Sequence, residues 1–477
     1  MKLRNIKMMV KKLTNFDGID VRETGGDLPC KNASMCYNFL LENNALVKGN
    51  GVNPLYYKTA ESCVKTQNAT VPFKEFYIYK KLVNGNQTIY FLARSGDKIY
   101  DYQYGGTTPW KWVEKFKIIT GKGNYCNYFV AGENCLLLNT FELGMYVYNA
   151  TETLRFYTTP KIKKLILHKE RCFGLGVVEP YRMYFSDDFD PRNWESSIDK
   201  GGFIDFPVDD GRLLKLISFK NYLYIIRENG IYKMSTYGEQ TDFQITKVFV
   251  STGKIYEETV CDCGEKIIFV ASDGMYVFDG YTSQKVYSEL DNMFENIKGN
   301  LNSAYFKGKY YLSFWYPFNK NDVYNGKNNI LISVGVKKKS ICISKDIEIN
   351  YMTPFVDGLN EELVCLTGDA NSNTLSVIDD SGLYFNNNIE GCWKSGNLDF
   401  DSFYNNKVVD EIIVNATGNL SVKVTCDGVC KRFENSATSE EKHFKINLKG
   451  KIFTIEIVSS DDKINVKDAY VKYYIVR

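Results

Sequence analysis

Apolar and polar residues alternate in short runs along most of this 477-residue chain, and the runs are bounded by Gly, Asn and Asp. That is the period of half-buried β-strands. Apolar residues at i, i+3, i+4 and i+7 hold over no long window; the best short helical candidates lie around Tyr287 to Ile297 and near Ala33 to Leu41. The alternating runs share a plan: an aromatic-rich strand, a turn, then a second strand centred on a Tyr. TIYFLARSGDKIYDY (Thr88 to Tyr102), NYLYIIRENGIYKM (Asn221 to Met234) and KIIFVASDGMYVFDG (Lys266 to Gly280) are the clearest copies. In the last two, Asn-Gly and Asp-Gly are expected to supply the positive φ of a tight hairpin turn. Weaker copies end at Gly144 to Tyr148, Arg182 to Phe185, Asn329 to Ile332 and Gly382 to Phe385.

The copies recur at roughly 40 to 55 residues, the spacing of four-stranded propeller blades. Each such unit leaves an apolar face that only a neighbouring sheet can cover, and a closed ring leaves no terminal face exposed. The expected fold is therefore all-β: a β-propeller over residues 60–392, with about seven blades and six to eight as the range that fits. Past Trp393 the repeat stops. Short strands broken at Thr417-Gly-Asn419 and Asp427-Gly428 continue to the last residue and predict a β-sandwich over 393–477. Residues 1–59 mix turn signals with extended stretches and are expected to form an N-terminal arm packed along the ring or a neighbouring subunit.

Composition changes this picture little. Aromatic residues make up 15% of the chain, with 35 Tyr and 30 Phe, a bias that suits pleated sheets. A net charge of +2 from 59 basic and 57 acidic residues excludes non-specific coating of nucleic acid by the whole chain. The odd count of 13 Cys without even spacing, and an N-terminus lacking the apolar core of a signal peptide, predict reduced thiols made in a cytosol. No apolar run is long enough to span a bilayer.

Candidate chemistry is sparse. His168 sits in an alternating strand and His443 in the predicted sandwich, and no G-x-S-x-G elbow accompanies them. Cys261 and Cys263 should face one side of a strand. Cys426 and Cys430 straddle a turn, which makes them the better disulfide or metal pair, although reduced thiols are the favoured reading. Asp187, Asp188 and Asp190 could ligate calcium, yet the Gly and distal Glu of an EF-hand loop are missing. Asp188, Asp190, Pro191 and Trp194 are instead expected to build a structural turn, with Asp190-Pro191 setting it and Trp194 burying it. The basic runs Lys161 to Lys164, Lys337 to Lys339 and Lys11-Lys12 read as solvated turns before polyanion contacts. Trp110 and Trp112, two apart, would share a strand face as an aromatic platform for sugar, with core packing the preferred alternative. No catalytic residue, cofactor or metal is expected.

Several phrases resemble a known family. Asn15-Phe-Asp-Gly-Ile-Asp20, then Leu28-Pro29, Ala33, Asn38 and Leu46-Val-Lys48-Gly49, resemble the start of double-stranded DNA bacteriophage virion proteins that lead into a β-propeller. Tyr184-Phe-Ser-Asp-Asp188 with Asp190-Pro191 and Asn193-Trp194 looks like the strand-and-turn of those propellers. Trp393-Lys394-Ser395 with Asp399-Phe400 resembles the opening of their closing domain, while Cys30 and Cys36 interrupt the usual pattern. The resemblance implies a non-enzymatic structural protein of a phage tail hub, nozzle or neck, made in the bacterial cytoplasm and placed in the virion tail. Its partners would be copies of itself in a ring, other tail or neck proteins, and genomic DNA passing through, with no membrane span. The alternatives are a tail-tip propeller that binds host-surface glycan and a glycosidase propeller.

Overall fold

The computed structural model describes residues 7–14, 16, 18–20, 32–58, 63–65, 73–103, 111–119, 121–130, 132–195, 201–319, 321–357, 360–368, 374–435 and 439–476. The chain is nearly all β, with a few short 3-10 turns, and it is a β-propeller with a C-terminal β-sandwich. It divides into two units: unit 1 comprises residues 1–54, 287–349 and 376–477, and unit 2 comprises 55–286 and 350–375. These units do not follow the segments 1–59, 60–392 and 393–477, because strands near the start of the chain pair with strands near its end.

Unit 2 holds five successive four-stranded antiparallel sheets, each made of consecutive strands: 75–117, 124–156, 162–205, 213–250 and 261–286. In each, the repeated hairpin seen in the sequence is the second and third strand. Apolar clusters lie in the seams between neighbours. Tyr77, Leu92 and Ile99 of the first sheet meet Leu136 and Tyr148 of the second. Leu137 and Met145 of the second meet Ile162 and Cys172 of the third. Phe173 and Met183 of the third meet Leu216 and Ile225 of the fourth, and Tyr224 and Ile226 of the fourth meet Phe269 and Phe278 of the fifth. Each sheet thus buries its face only against the next, which is how blades stabilise one another.

The turns correct one expectation. Arg227 pairs with Gly230 and Ala271 with Gly274, so the turn residues are Glu228-Asn229 and Ser272-Asp273. At Asn229-Gly230 neither residue has positive φ, whereas at Asp273-Gly274 the glycine does supply it, at φ 147°. Glycine is required at 230 by close approach instead, since a Cβ there would sit 2.8 Å from the Phe249 carbonyl oxygen of the fourth strand.

Unit 1 contains a further meander, strands Lys298–Phe306, Lys309–Trp315, Ile330–Gly335 and Ile341–Lys345, a sixth blade-like set. A strand Gly51–Pro54 stands beside Ser376 to Asp379. The sandwich strands Asn406–Thr417, Glu441–Gly450 and Asn465–Val476 lie in one sheet. Gly391–Ser395, Leu420–Cys426, Val429–Asn435 and Phe453–Ser459 lie in the other. The described residues of the N-terminal stretch lie mostly in short strands. The helix expected near Ala33 to Leu41 is absent: those residues form strands Asn32–Tyr37 and Phe39–Glu42, with Asn38 between them at φ 58°. Around Tyr287 to Ile297 the helical signal amounts to a 3-10 turn, Ser288–Met293.

Candidate functional site

The phrase residues near the N-terminus converge in unit 1 on residues 379 to 395. Phe16 is 2% exposed and packs edge-on against Trp393, fully buried, at 5.1 Å between ring centroids. Ala33 pairs with Ser395 and Cys36 with Trp393, and the Ser34 hydroxyl donates to the Ser395 carbonyl at 2.7 Å. Asn38 does most at the corner. Its amide donates to the Glu390 carbonyl at 2.9 Å, and its side-chain oxygen accepts from the Lys345 amide at 2.8 Å and the Tyr384 hydroxyl at 3.3 Å. Asn tolerates the left-handed conformation better than other non-glycine residues, which allows a sharp turn between strands without a helix.

The following hairpin continues the lock. Leu46 is fully buried, and Lys48 donates its ammonium to the Ile389 carbonyl at 2.8 Å. Burial lowers the Lys48 pKa, opposed by the nearby Asp461 and Asp462 carboxylates. A Cβ at Gly49 would approach the Asn38 carbonyl and the Cys342 sulfur to 2.9 Å. Gly382, at φ 66°, leaves room for the Lys48 stem. Next, Asn53 donates to Asp379 at 2.9 Å and Ser381 at 2.8 Å, and accepts from the Asn386 amide at 2.8 Å. Phe16, Ile19, Ala33, Asn38, Leu46, Lys48 and Gly49 are all buried. Asn15, Asp17, Leu28, Pro29 and Cys30 lie outside the described residues.

Unit 2 carries a second concentration of chemistry on the first strands of its sheets. The His168 Nδ1 is 2.7 Å from the Ser218 hydroxyl, joining the first strands of the third and fourth sheets. β-bulges interrupt the strands beginning at Ile162 and Leu213, and bulges re-aim side chains. Lys164, at φ 55°, reaches past the fourth sheet to Glu258 at 2.7 Å and Glu257 at 3.1 Å. Those glutamates lie in a 3-10 turn ahead of the fifth sheet. Burial alone would lower Lys164, but Glu258 and Glu257 outweigh it and raise its pKa. Glu258 moves the other way: burial raises it, and Lys164 and Lys215 draw it below the usual carboxylate range. Lys215 is lowered by burial and then by Lys164, and donates to the Val260 carbonyl at 2.5 Å. A hydrogen bond with Cys263, and then Lys215, draws the Cys261 thiol below its ordinary value against its burial. Arrayed this way, the carboxylates of the cluster are engaged by cations, a setting for rigidity more than for proton transfer.

The remaining sequence candidates fall as follows. Asp190 accepts from the Arg192 backbone at 3.0 Å and from its guanidinium at 2.7 Å. Asp188 pairs with the buried Arg171, and burial raises its pKa despite that pairing. Trp194 is buried and donates its indole N–H to the Pro191 carbonyl at 2.8 Å. Those residues therefore make a turn lidded by Trp194, with Asp187 bridging Asp190. Trp112 is half-buried among Phe73, Tyr102 and Phe91, with ring centroids 4.5, 4.7 and 5.8 Å away; Trp110 lies outside the described residues. Cys426 pairs with Val429 and Cys430 with Thr425, so the two sulfurs point to opposite faces and both are free thiols. Among the described residues no group of three His, Cys, Asp or Glu could hold a metal, and no helix is long and apolar enough to cross a membrane.

The sequence had flagged Lys161 to Lys164 as a basic run, but nothing in it showed the pairing with Glu257 and Glu258 more than 90 residues on. The lock had a fainter signal: an Asn between two strand-like runs.

No family model and no curated protein matches the chain. Among similar solved structures, BBS1N in complex with ARL6DN is 7% identical at TM-score 0.42, covering 65% of this chain and 94% of that one. The N-terminal domain of Nup159 is 11% identical at 0.40, covering 69% and 95%. PorZ, a surface component of the type-IX secretion system of Porphyromonas gingivalis, is 10% identical at 0.38, covering 77% and 48%. All three TM-scores lie below one half.

Proposed function

We propose that the chain is a structural component of a double-stranded DNA phage tail apparatus, a hub, nozzle or neck ring, acting by assembly and not by catalysis. One observation carries the reading: the residues whose order resembles the start of those virion proteins are the ones that lock the chain's beginning to residues 379 to 395. Phe16 and Trp393, taken from two separate phrases of that resemblance, pack on each other. A lock between distant parts of the chain resists stepwise unravelling, the property a load-bearing ring needs. The partners would be further copies of the chain, adjoining tail or neck proteins, and DNA threading the ring in the virion.

Engagement of the unit 2 carboxylates in ion pairs favours this reading over a glycosidase, which needs two carboxyl groups free to work across a glycosidic bond. Light scattering and electron microscopy of the purified protein, alone and with virion-derived material, test it. A closed multimer that leaves polysaccharide intact is the expected result. A protein that stays monomeric and cleaves polysaccharide overturns it.

A further inference from the structure

Three successive sheets of unit 2 carry an exposed aromatic side chain in the same connection, from third strand to fourth. Phe189 is 77% exposed, Tyr237 80% and Tyr281 65%. Rings this exposed bury too little apolar area to stabilise the fold appreciably. Their recurrence at equivalent positions on neighbouring sheets is the kind of surface feature that marks binding.

The rings are held in place by the turns beside them. Phe189 has φ 55°, and its amide donates to the Glu170 carbonyl at 3.1 Å. The adjacent residue of that turn, Lys169, places its ammonium 5.6 Å from the Tyr237 ring centroid. Phe189 and Tyr237 thus flank one turn of the third sheet. One sheet on, the cation beside the exposed ring comes from the third strand, Gly230–Ser235, instead of the turn. Lys233 sits 4.5 Å from the Tyr281 ring and 3.6 Å from Tyr222. Lys220 donates to the Asp279 carbonyl and Tyr224 to the Gly280 carbonyl, each at 2.9 Å, while the Asp279 carboxylate accepts the Tyr281 amide at 2.8 Å. The connection bearing Tyr281 is therefore fixed at three points.

Charge narrows the ligand. The same turns and connections carry Glu170, Asp187, Asp188, Asp190, Glu239, Asp242 and Asp279 against Lys169, Arg192 and Lys220, with Lys233 on the strand beside them, so the face does not offer the net positive field that draws a polyanion. What suits flat rings set among ammonium and carboxylate groups is a ligand with apolar C–H faces to stack and neutral hydroxyls that both accept and donate. A pyranose has both. We infer that the row Phe189, Tyr237 and Tyr281 is a platform for a neutral polysaccharide, contacting several sugar units along its length. This does not depend on the lock in unit 1 and adds recognition to an assembly role.

The test is calorimetric titration of the full chain with chitohexaose, cellohexaose and maltohexaose, with polygalacturonate and oligo-dT as anionic probes. Binding of at least one neutral hexasaccharide is expected. A triple variant Phe189→Ser, Tyr237→Ser, Tyr281→Ser should weaken it by about tenfold or more with the melting temperature unchanged, because the rings are exposed. Lys169→Gln with Lys233→Gln should weaken it by a few-fold. Binding only to the anionic probes, neutral binding that survives the triple variant, or no binding to any neutral hexasaccharide overturns the proposal. Because the readout is glycan affinity and not oligomeric mass, its failure leaves the assembly reading standing.

Discussion

Unit 2 finishes each of its five sheets with four strands that follow one another in the chain, whereas unit 1 completes its sheets with strands far apart in sequence. Within unit 2 the hairpin strands Tyr222–Arg227 and Gly230–Ser235 are separated by two residues. In unit 1 the Ser34 hydroxyl bonds a carbonyl 361 residues away, and Met9–Thr14 pairs with Asp468 to Tyr473. Local sheets close short loops and form early; distant pairings must overcome a larger loop-closure entropy before any contact rewards it. The difference teaches where stability should be modular and where it should be shared.

The sharpest way to break that comparison is to cut one large side chain from each unit. Trp393→Ala in unit 1 and Phe269→Ala in unit 2 each remove a fully buried ring and should each cost about 3–5 kcal/mol. Their reach should differ. Hydrogen exchange in the Trp393 variant should quicken in Asn32–Tyr37 and Phe453–Ser459, the two strands that flank Gly391–Ser395. In the Phe269 variant it should quicken chiefly in the fourth and fifth sheets of unit 2, whose seam Phe269 fills. Equal spread from both sites would abolish the distinction.

A smaller effect is expected at the corner residue. Asn38→Ala removes the bonds to Glu390, Lys345 and Tyr384 and leaves a left-handed alanine, a loss of about 2–3 kcal/mol. Asn38→Gly keeps the conformation and loses only the bonds, so it should fall between wild type and Ala. The counterpart in unit 2 is Asn127, which bonds the Ile78 carbonyl at 3.0 Å and the Lys80 amide at 2.8 Å. Asn127→Ala, lacking the backbone strain, should cost about 1 kcal/mol. Urea unfolding measures all three.

The same contrast governs what could be read from the sequence. The unit 2 hairpins were legible because alternation and turn residues are local signals. The lock was not. In NASMCYNFLL the apolar spacing imitates a helix, and only the tolerance of Asn for positive φ hints that Asn38 is a corner; its partners lie more than 300 residues on. A pairing of Cys426 with Cys430, the lesser alternative to reduced thiols, is excluded by a register that turns them to opposite faces, which depends on the hairpin's turn length and not on their spacing. The Lys164 cluster stayed hidden because a bulge, which leaves no clear mark in composition, redirects the side chain.

That cluster supplies the next prediction. Lys164→Met leaves Glu257 and Glu258 without their shared cation, and with the glutamates partly open to solvent the expected loss is about 1–2 kcal/mol. Adding Glu258→Gln should restore part of it, since one stranded charge is removed. A double variant no better than the single would mean that Lys164 acts through packing of its stem.

Acid should also separate the two units. Burial, and then Lys169, holds His168 down to about 4, so the folded state keeps it neutral while the unfolded chain takes up a proton below its ordinary value near 6.5. The unfolded state binds more protons in that window, and unit 2 therefore loses stability as pH falls from about 6.5 to about 4. In unit 1 the Glu411 carboxylate, despite its burial, is drawn to about 2 by Lys472, Lys445 and His443, with contacts of 2.8, 2.9 and 3.1 Å. Its contribution is present above the ordinary carboxylate value near 4.5 and fades only as pH falls from there toward 2. Because Lys445 is 67% exposed, screening should limit that contribution to about 1 kcal/mol. Exchange followed from pH 7 downward should show the third and fourth sheets of unit 2 loosening before Asn406–Thr417 and Asn465–Val476. His168→Gln should flatten the first phase and Glu411→Gln the second. If one substitution flattens both, the pH response belongs to a single cooperative unit and the contrast between the two regions does not extend to acid.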